Sequence, residues 1–175
     1  MFSSLLLCLS LSLPSDPSPI KDSPYPFELN RGWIVEPVIA GYNSLDKEDP
    51  ASYIGGVRIS GLMPDATDAV ITMELEYLAD VIFTGKGQTP RTRQKGSVGL
   101  VFYEIYNPFA LRVAMGFGAE KKFSRYSPQI YLRGGLGYYF NSYVGLYADY
   151  SGRSIFRESK FTFNSELTTA LQFIF

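Results

Sequence analysis

The chain has 175 residues, enough for one domain with a short appendage, and its 16 Lys and Arg against 17 Asp and Glu leave a net charge of -1, which gives no pull toward nucleic acid. Aromatics make up 15% of the residues, 13 Tyr and 13 Phe with one Trp, yet mean hydropathy is about zero, too polar for a bundle of membrane helices. Histidine is absent, which excludes Ser-His and Cys-His nucleophile pairs, the HExxH zinc motif and the commonest general base; no catalytic set, metal-ligand cluster or cofactor motif stands out in the rest.

Residues 1–15 contain "FSSLLLCLSLSLPS", an apolar run too short to span a bilayer as a helix and followed by Pro and Ser. It reads as a secretory signal peptide, although no Lys or Arg follows Met1. The single cysteine, Cys8, lies in this segment and has no internal disulfide partner. Residues 16–31 follow as a lead-in in which Pro17, Pro19, Pro24 and Pro26 forbid regular structure.

From residue 32 to 175 the punctuation is that of an all-β chain. Eight alternating or β-rich runs are expected, at 32–43, 52–62, 69–83, 97–106, 109–121, 129–140, 143–151 and 163–175. The connections alternate in length. "NSLDKEDPA", "TGKGQTPRTRQKG" and "GRSIFRESKFT" are long and "KFSRYSP" is medium, whereas "MPDAT", "NP" and "NS" are short. An up-and-down meander with tight turns at one end and longer loops at the other gives this rhythm. Eight strands can close into a small barrel filled by side chains, and about 9 to 11 residues suffice for a tilted transmembrane strand.

The polar faces decide which side is wet. In "FALRVAMGFGAE" (109–120) one face is Phe109, Leu111, Val113, Met115 and Phe117, and the other holds Ala110, Ala114, Gly116 and Gly118 around Arg112 and Glu120. Small residues beside sparse opposite charges describe a cramped polar lumen better than a solvated surface. Arg58, Glu74, Glu76, Arg112, Glu120, Arg133, Asp149 and Glu166 all fall on polar faces and are expected to pair inside. An arginine turned outward would cost about 2 to 4 kcal/mol at the bilayer midplane, so the apolar faces belong outside. Strand 97–106 is apolar on both faces, with Glu104 in register with Leu100 and Phe102, and alternation assigns it no orientation. Pro37 lacks a ladder donor, so a bulge is expected there or regular pairing begins after it.

Trp33, Tyr42, Tyr53, Phe83, Tyr106, Phe109, Phe140, Tyr143, Tyr150 and Phe163 gather toward strand ends, as interfacial girdles require. The final "LTTALQFIF" places Leu167, Thr169, Leu171, Phe173 and Phe175 on one face. With this terminal pattern, residues 32–175 resemble the small eight-stranded outer-membrane barrels of the OmpA/OmpX type, by architecture rather than by any family-specific motif. The resemblance implies a bacterial outer-membrane location, contact with outer-membrane lipids and lipopolysaccharide, and an assembly signal at Phe173 and Phe175 read by the outer-membrane assembly machinery. It implies a non-enzymatic envelope-structural, adhesion or partner-docking role, any protein partner meeting the long loops. Barrels of this architecture that deacylate or acylate lipid A use a histidine, which is missing here. Two alternatives stay open: a narrow gated pore for ions or small solutes, and a soluble lipocalin-like carrier with an apolar interior.

The connections offer two further candidates. Lys86, Arg91, Arg93 and Lys95 form a basic loop without acids, suited to lipopolysaccharide phosphates or an acidic partner but lacking the P-loop Gly-Lys-Ser/Thr element. "SLDKEDP" holds Asp46, Glu48 and Asp49 without the spacing of a calcium loop, and no metal site is expected.

Overall fold

Period-two alternation becomes eight antiparallel strands in the computed structural model, which describes residues 32–43, 52–62, 70–82, 91–106, 108–122, 124–157 and 160–175. The strands are β1 (Trp33–Asn43), β2 (Ser52–Leu62), β3 (Val70–Ile82), β4 (Arg91–Tyr106), β5 (Phe109–Lys122), β6 (Arg125–Tyr139), β7 (Val144–Arg157) and β8 (Lys160–Ile174). Each pairs with its sequence neighbour, and β1 pairs with β8 to close the barrel. Closure leaves no edge strand and satisfies the backbone ladder internally, as a spanning structure in lipid requires. The expected signal peptide and lead-in, with Cys8, lie outside the described residues, as do Asp46, Glu48, Asp49, Phe83 and Lys86.

The seam carries the main irregularity. Pro37 sits opposite Val57 in β2, and the register of β1 shifts just beyond it, between Val38 and Ala40 against β8 and between Val38 and Tyr42 against β2. Pro37 is therefore inside the ladder, with the bulge displaced to its C-terminal side. At the end where both chain termini of the barrel lie, the backbone N–H of Trp33 donates to the Phe175 carbonyl at 3.1 Å and the N–H of Phe175 returns the bond at 2.9 Å. The turn between β6 and β7 is held by Asn141, whose Oδ1 accepts from the backbone N–H groups of Tyr143 (2.8 Å) and Val144 (2.9 Å).

Three expectations need correction. The alternating loop lengths fail at the end away from the termini: β5 runs to Lys122 before β6 starts at Arg125, and β7 runs to Arg157 before β8 starts at Lys160. "KFSRYSP" and "GRSIFRESKFT" were expected as loops because their alternation is weak and charged, but ladder pairing carries them on as strand. Likewise β4 begins at Arg91, so Arg91, Arg93 and Lys95 of the expected basic loop are in strand. The consequence is an uneven wall, with β4 to β8 at 14 to 16 residues against 11 to 13 in β1 to β3.

The outer surface is apolar in the middle and aromatic at both ends. Exposed Leu75, Leu100, Leu111, Val113, Met115, Leu132 and Leu136 occupy the central band. Trp33, Tyr106, Phe109, Tyr138, Phe140 and Tyr143 ring the terminus end, and Tyr53, Phe117, Tyr126, Phe161 and Phe163 ring the far end. At the first girdle, Tyr138 meets Phe109 and Phe140 edge-to-face at centroid distances of 5.5 and 5.4 Å. The third correction is Tyr150, expected in a girdle but placed midway along β7.

Candidate functional site: the charged lumen

The inward face of every strand contributes to one network of ion pairs. Its carboxylates are Glu36, Glu74, Glu76, Asp80, Glu120, Asp149 and Glu166, and its cations are Arg58, Arg93, Lys95, Arg112, Arg133 and Arg153. Seven acids against six bases leave this set with a formal charge of -1, so nearly every buried charge has an opposite one. Such balance is the condition for burial, because an unpaired ion in a low-dielectric interior is strongly destabilising.

Near the terminus end, Arg112 of β5 reaches across to Glu36 of β1 at 2.5 Å and grips Asp149 of β7 with two nitrogens, Nε to Oδ1 at 2.8 Å and Nη2 to Oδ2 at 2.5 Å. This two-point geometry fixes orientation as well as charge. Arg58 of β2 shares Asp149 (2.8 Å) and also donates to Glu76 (3.0 Å) and Thr168 (3.1 Å). Glu76 is the hub: Arg58 and Arg133 (3.1 Å) donate to one oxygen, and Arg153 (2.6 Å) and the Ser97 hydroxyl (2.8 Å) donate to the other. Arg133 continues to Glu74 at 2.6 Å, and Arg153 to Glu166 at 2.8 Å. Lys95 then links Glu166 to Asp80, and Arg93 links Asp80 to Glu120.

Small residues make the room. Arg112, Gly135 and Asp149 stand abreast on β5, β6 and β7, and a Cβ on Gly135 would lie 2.0 Å from Asp149 Oδ1. A Cβ on Gly116 would lie 2.7 Å from the Tyr131 ring, which stacks beneath the Arg153 guanidinium at 5.0 Å. The glycines are therefore sites of close approach by large neighbours.

Between this network and the terminus end lies a tyrosine layer. Tyr103, Tyr139 and Tyr147 are buried together with Ile34, Val101, Ala110 and Ile174. The Tyr147 hydroxyl donates to that of Tyr139 (2.9 Å), which donates to Gln172 Oε1 (2.7 Å), and Gln172 Nε2 donates to Glu36 (2.7 Å). The Arg112 guanidinium covers the Tyr147 ring at 3.9 Å. A water-filled path past the network would show as exposure of its side chains. The largest value among these thirteen is 4%, at Glu76, so the described residues leave no such path. The middle of the interior is filled by paired charge and the terminus end by packed rings, so among the described residues no open apolar cavity of the kind a lipocalin-like carrier needs is left.

The structure brings together Arg58, Glu74, Glu76, Arg112, Glu120, Arg133, Asp149 and Glu166, the eight residues singled out in the sequence, and adds Glu36, Asp80, Arg93, Lys95 and Arg153. Arg93 and Lys95 are the main correction. Expected in a solvated loop facing lipopolysaccharide, they are fully buried on the inward face of β4, because Arg93 and Lys95 alternate in phase with Val101 and Tyr103. That phase also orients the ambiguous strand: Leu100, Phe102 and Glu104 face outward. Arg153 was hidden in a stretch read as loop, and Glu36 and Asp80 carried an alternation signal that their apolar neighbours masked. Among the described residues no group of His, Cys, Asp or Glu has the arrangement of a metal site.

No protein-family model matches this sequence, and no curated protein sequence matches it. Solved structures do match the fold. Neisserial surface protein A superposes with a TM-score of 0.63 at 10% identity, over 81% of this chain and 96% of that one. The N-terminal β-barrel domain of Pseudomonas aeruginosa OprF gives 0.53 at 15% identity, over 82% and 98%. A de novo designed transmembrane β-barrel gives 0.52 at 13% identity, over 83% and 97%. The fold is that of the small eight-stranded transmembrane barrels, and at 10 to 15% identity the likeness extends to fold alone.

Proposed function

We propose that this protein is an integral bacterial outer-membrane barrel that neither conducts nor catalyses, and that it works through its outer surface and its far-end rim in an envelope-structural, adhesion or partner-docking role. The observation that carries this reading is the lumen: thirteen paired ionic side chains from all eight strands fill the space that a pore would need open. The apolar band between aromatic girdles supports the membrane location. Against catalysis stand the absence of histidine and the engagement of each network carboxylate by a cation.

The lipopolysaccharide contact moves with the correction to β4. Lys121, which lies over the Tyr126 ring at 5.4 Å, stands on the outward face where β5 turns into β6, and is the basic group at the far-end rim that we assign to lipid phosphates. Phe173 and Phe175, beside the seam, are the residues we assign to the assembly machinery.

Planar-bilayer recording of the purified protein tests the central claim. The expected result is no channel events above background, either in the wild type or in Arg112→Ala, where the tyrosine layer still closes the terminus end. Wild-type conductance would overturn the closed-scaffold reading in favour of a pore. Recovery in a soluble fraction without detergent would overturn the membrane location.

A further inference from the structure

The lipid-facing wall carries a depression that its own side chains do not fill. It is a groove of about 740 Å³ across the outside of β4 to β8, floored where β6 and β7 present Gly134 and Ala148 between leucines and a tyrosine. A Cβ on Gly134 would meet nothing within 4 Å, so the floor is an omitted side chain in open space. Leu111, Val113 and Tyr150 form the walls, and Glu104 stands at one end.

Register gives the groove a direction. Glu104 pairs with Leu111 two residues from the end of β4 at Tyr106, one outward position inside the aromatic girdle that Tyr106 and Phe109 form. Tyr150 and Leu167, at the opposite end, pair with each other midway along β7 and β8. The groove thus descends from the terminus-side interface toward the middle of the wall, crossing four inter-strand spacings, about 19 Å at about 4.8 Å each. One leaflet contributes about 15 Å of hydrocarbon, so an acyl chain lying obliquely there traverses a single leaflet.

The charge at the mouth selects the headgroup. Among the described outward-facing side chains with a stated exposure, the charged ones are Glu104 toward the terminus end and Lys121 toward the far end. The Tyr106 hydroxyl donates to Glu104 Oε1, holding the anion beside the groove. We propose that the groove binds one acyl chain of a phospholipid with a primary ammonium headgroup, the phosphatidylethanolamine class, and that Glu104 receives the ammonium. A second copy of the barrel seated there would press Glu104 against a wall that, among the described residues, offers no cation at that level.

The inference rests on the outer-membrane reading, and one experiment separates the two. The full-length chain is refolded into bilayers and checked by heat-modifiable migration, then released from micelles containing equal amounts of phosphatidylethanolamine and phosphatidylglycerol and weighed by native mass spectrometry. The expected wild-type result is a single retained phosphatidylethanolamine, in about fivefold excess over phosphatidylglycerol, the scale of one interfacial ion pair. Glu104→Gln, which leaves the apolar walls intact, is expected to equalise the two lipids, and Gly134→Leu, which fills the floor, to abolish retention of both. Equal retention by the wild type, a preference that survives Glu104→Gln, or a wild-type dimer that Gly134→Leu dissociates would each overturn the lipid site. A wild type that fails to insert overturns the membrane reading instead.

Discussion

The terminus end of the lumen and its middle are both packed shut, but by materials that respond differently to injury. At the terminus end Tyr103, Tyr139 and Tyr147 close the bore with rings, edge-to-face at 6.2 and 6.0 Å, and a short chain of neutral hydrogen bonds. In the middle Glu76, Arg58, Arg133 and Arg153 close it with charge. A ring that loses a hydroxyl still fills its volume, whereas a guanidinium that loses its carboxylate becomes a buried ion. The comparison teaches that equal burial hides unequal tolerance: the first zone depends on shape, the second on the completeness of a circuit.

The largest expected effect breaks that circuit. Glu76→Ala leaves three arginines short of a counter-charge, and a loss of about 3 to 5 kcal/mol is expected, measured by urea unfolding in lipid vesicles. Glu76→Gln keeps the volume, and should cost nearly as much; a mild effect would show that the middle zone depends on shape after all. Tyr147→Ala opens a hole at the terminus end and is expected to cost about 3 kcal/mol, read from the same curves. Gly135→Ala drives a methyl group to 2.0 Å from Asp149 Oδ1, displacing a carboxylate shared by Arg58 and Arg112. A loss of about 1 to 3 kcal/mol is expected from such overpacking, with a lowered temperature of heat-modifiable migration. The smallest change, Tyr147→Phe, removes only the hydroxyl that donates to Tyr139 and should cost about 1 kcal/mol. The contrast between Tyr147→Phe and Glu76→Gln, each nearly isosteric, is the sharpest form of the comparison.

Much of this architecture was legible in the alternation, because a strand that faces lipid on one side and a crowded lumen on the other must repeat with period two. Strand β5 shows why: Arg112 and Glu120 could occupy only one face, and Ala114, Gly116 and Gly118 marked that face as cramped. The misses share a cause. Arg93 and Lys95 lie where β4 extends beyond the apolar band, and Arg153 lies in a part of β7 whose outward positions are small; there the outward positions, such as Gln94, Gly152 and Ser154, carry no large apolar side chain. Without an apolar outward face, alternation vanishes and strand reads as loop, although cross-strand pairing still holds it. The groove was hidden for another reason. Gly134 looks from sequence like the lumen glycine Gly135 beside it, and only the direction of each position separates a residue that yields space to Asp149 from one that leaves a vacancy outside.

The reach of the ion pairs has a consequence for the order in which the barrel is made. Arg58 finds one carboxylate, Glu76, on the neighbouring strand β3, but its second strong partner, Asp149, lies 91 residues further along the chain, so its full set of counter-charges is complete only with β7. A sheet spread open in hydrocarbon would present its arginines to lipid, at a cost of about 2 to 4 kcal/mol for each one held near the midplane and less toward the interfaces. Piecemeal insertion, strand after strand, is therefore the costly route. The curl that brings first and last strands together forms at lower cost while the inward face is sheltered from acyl chains, because the network gains its last members only with β7 and β8.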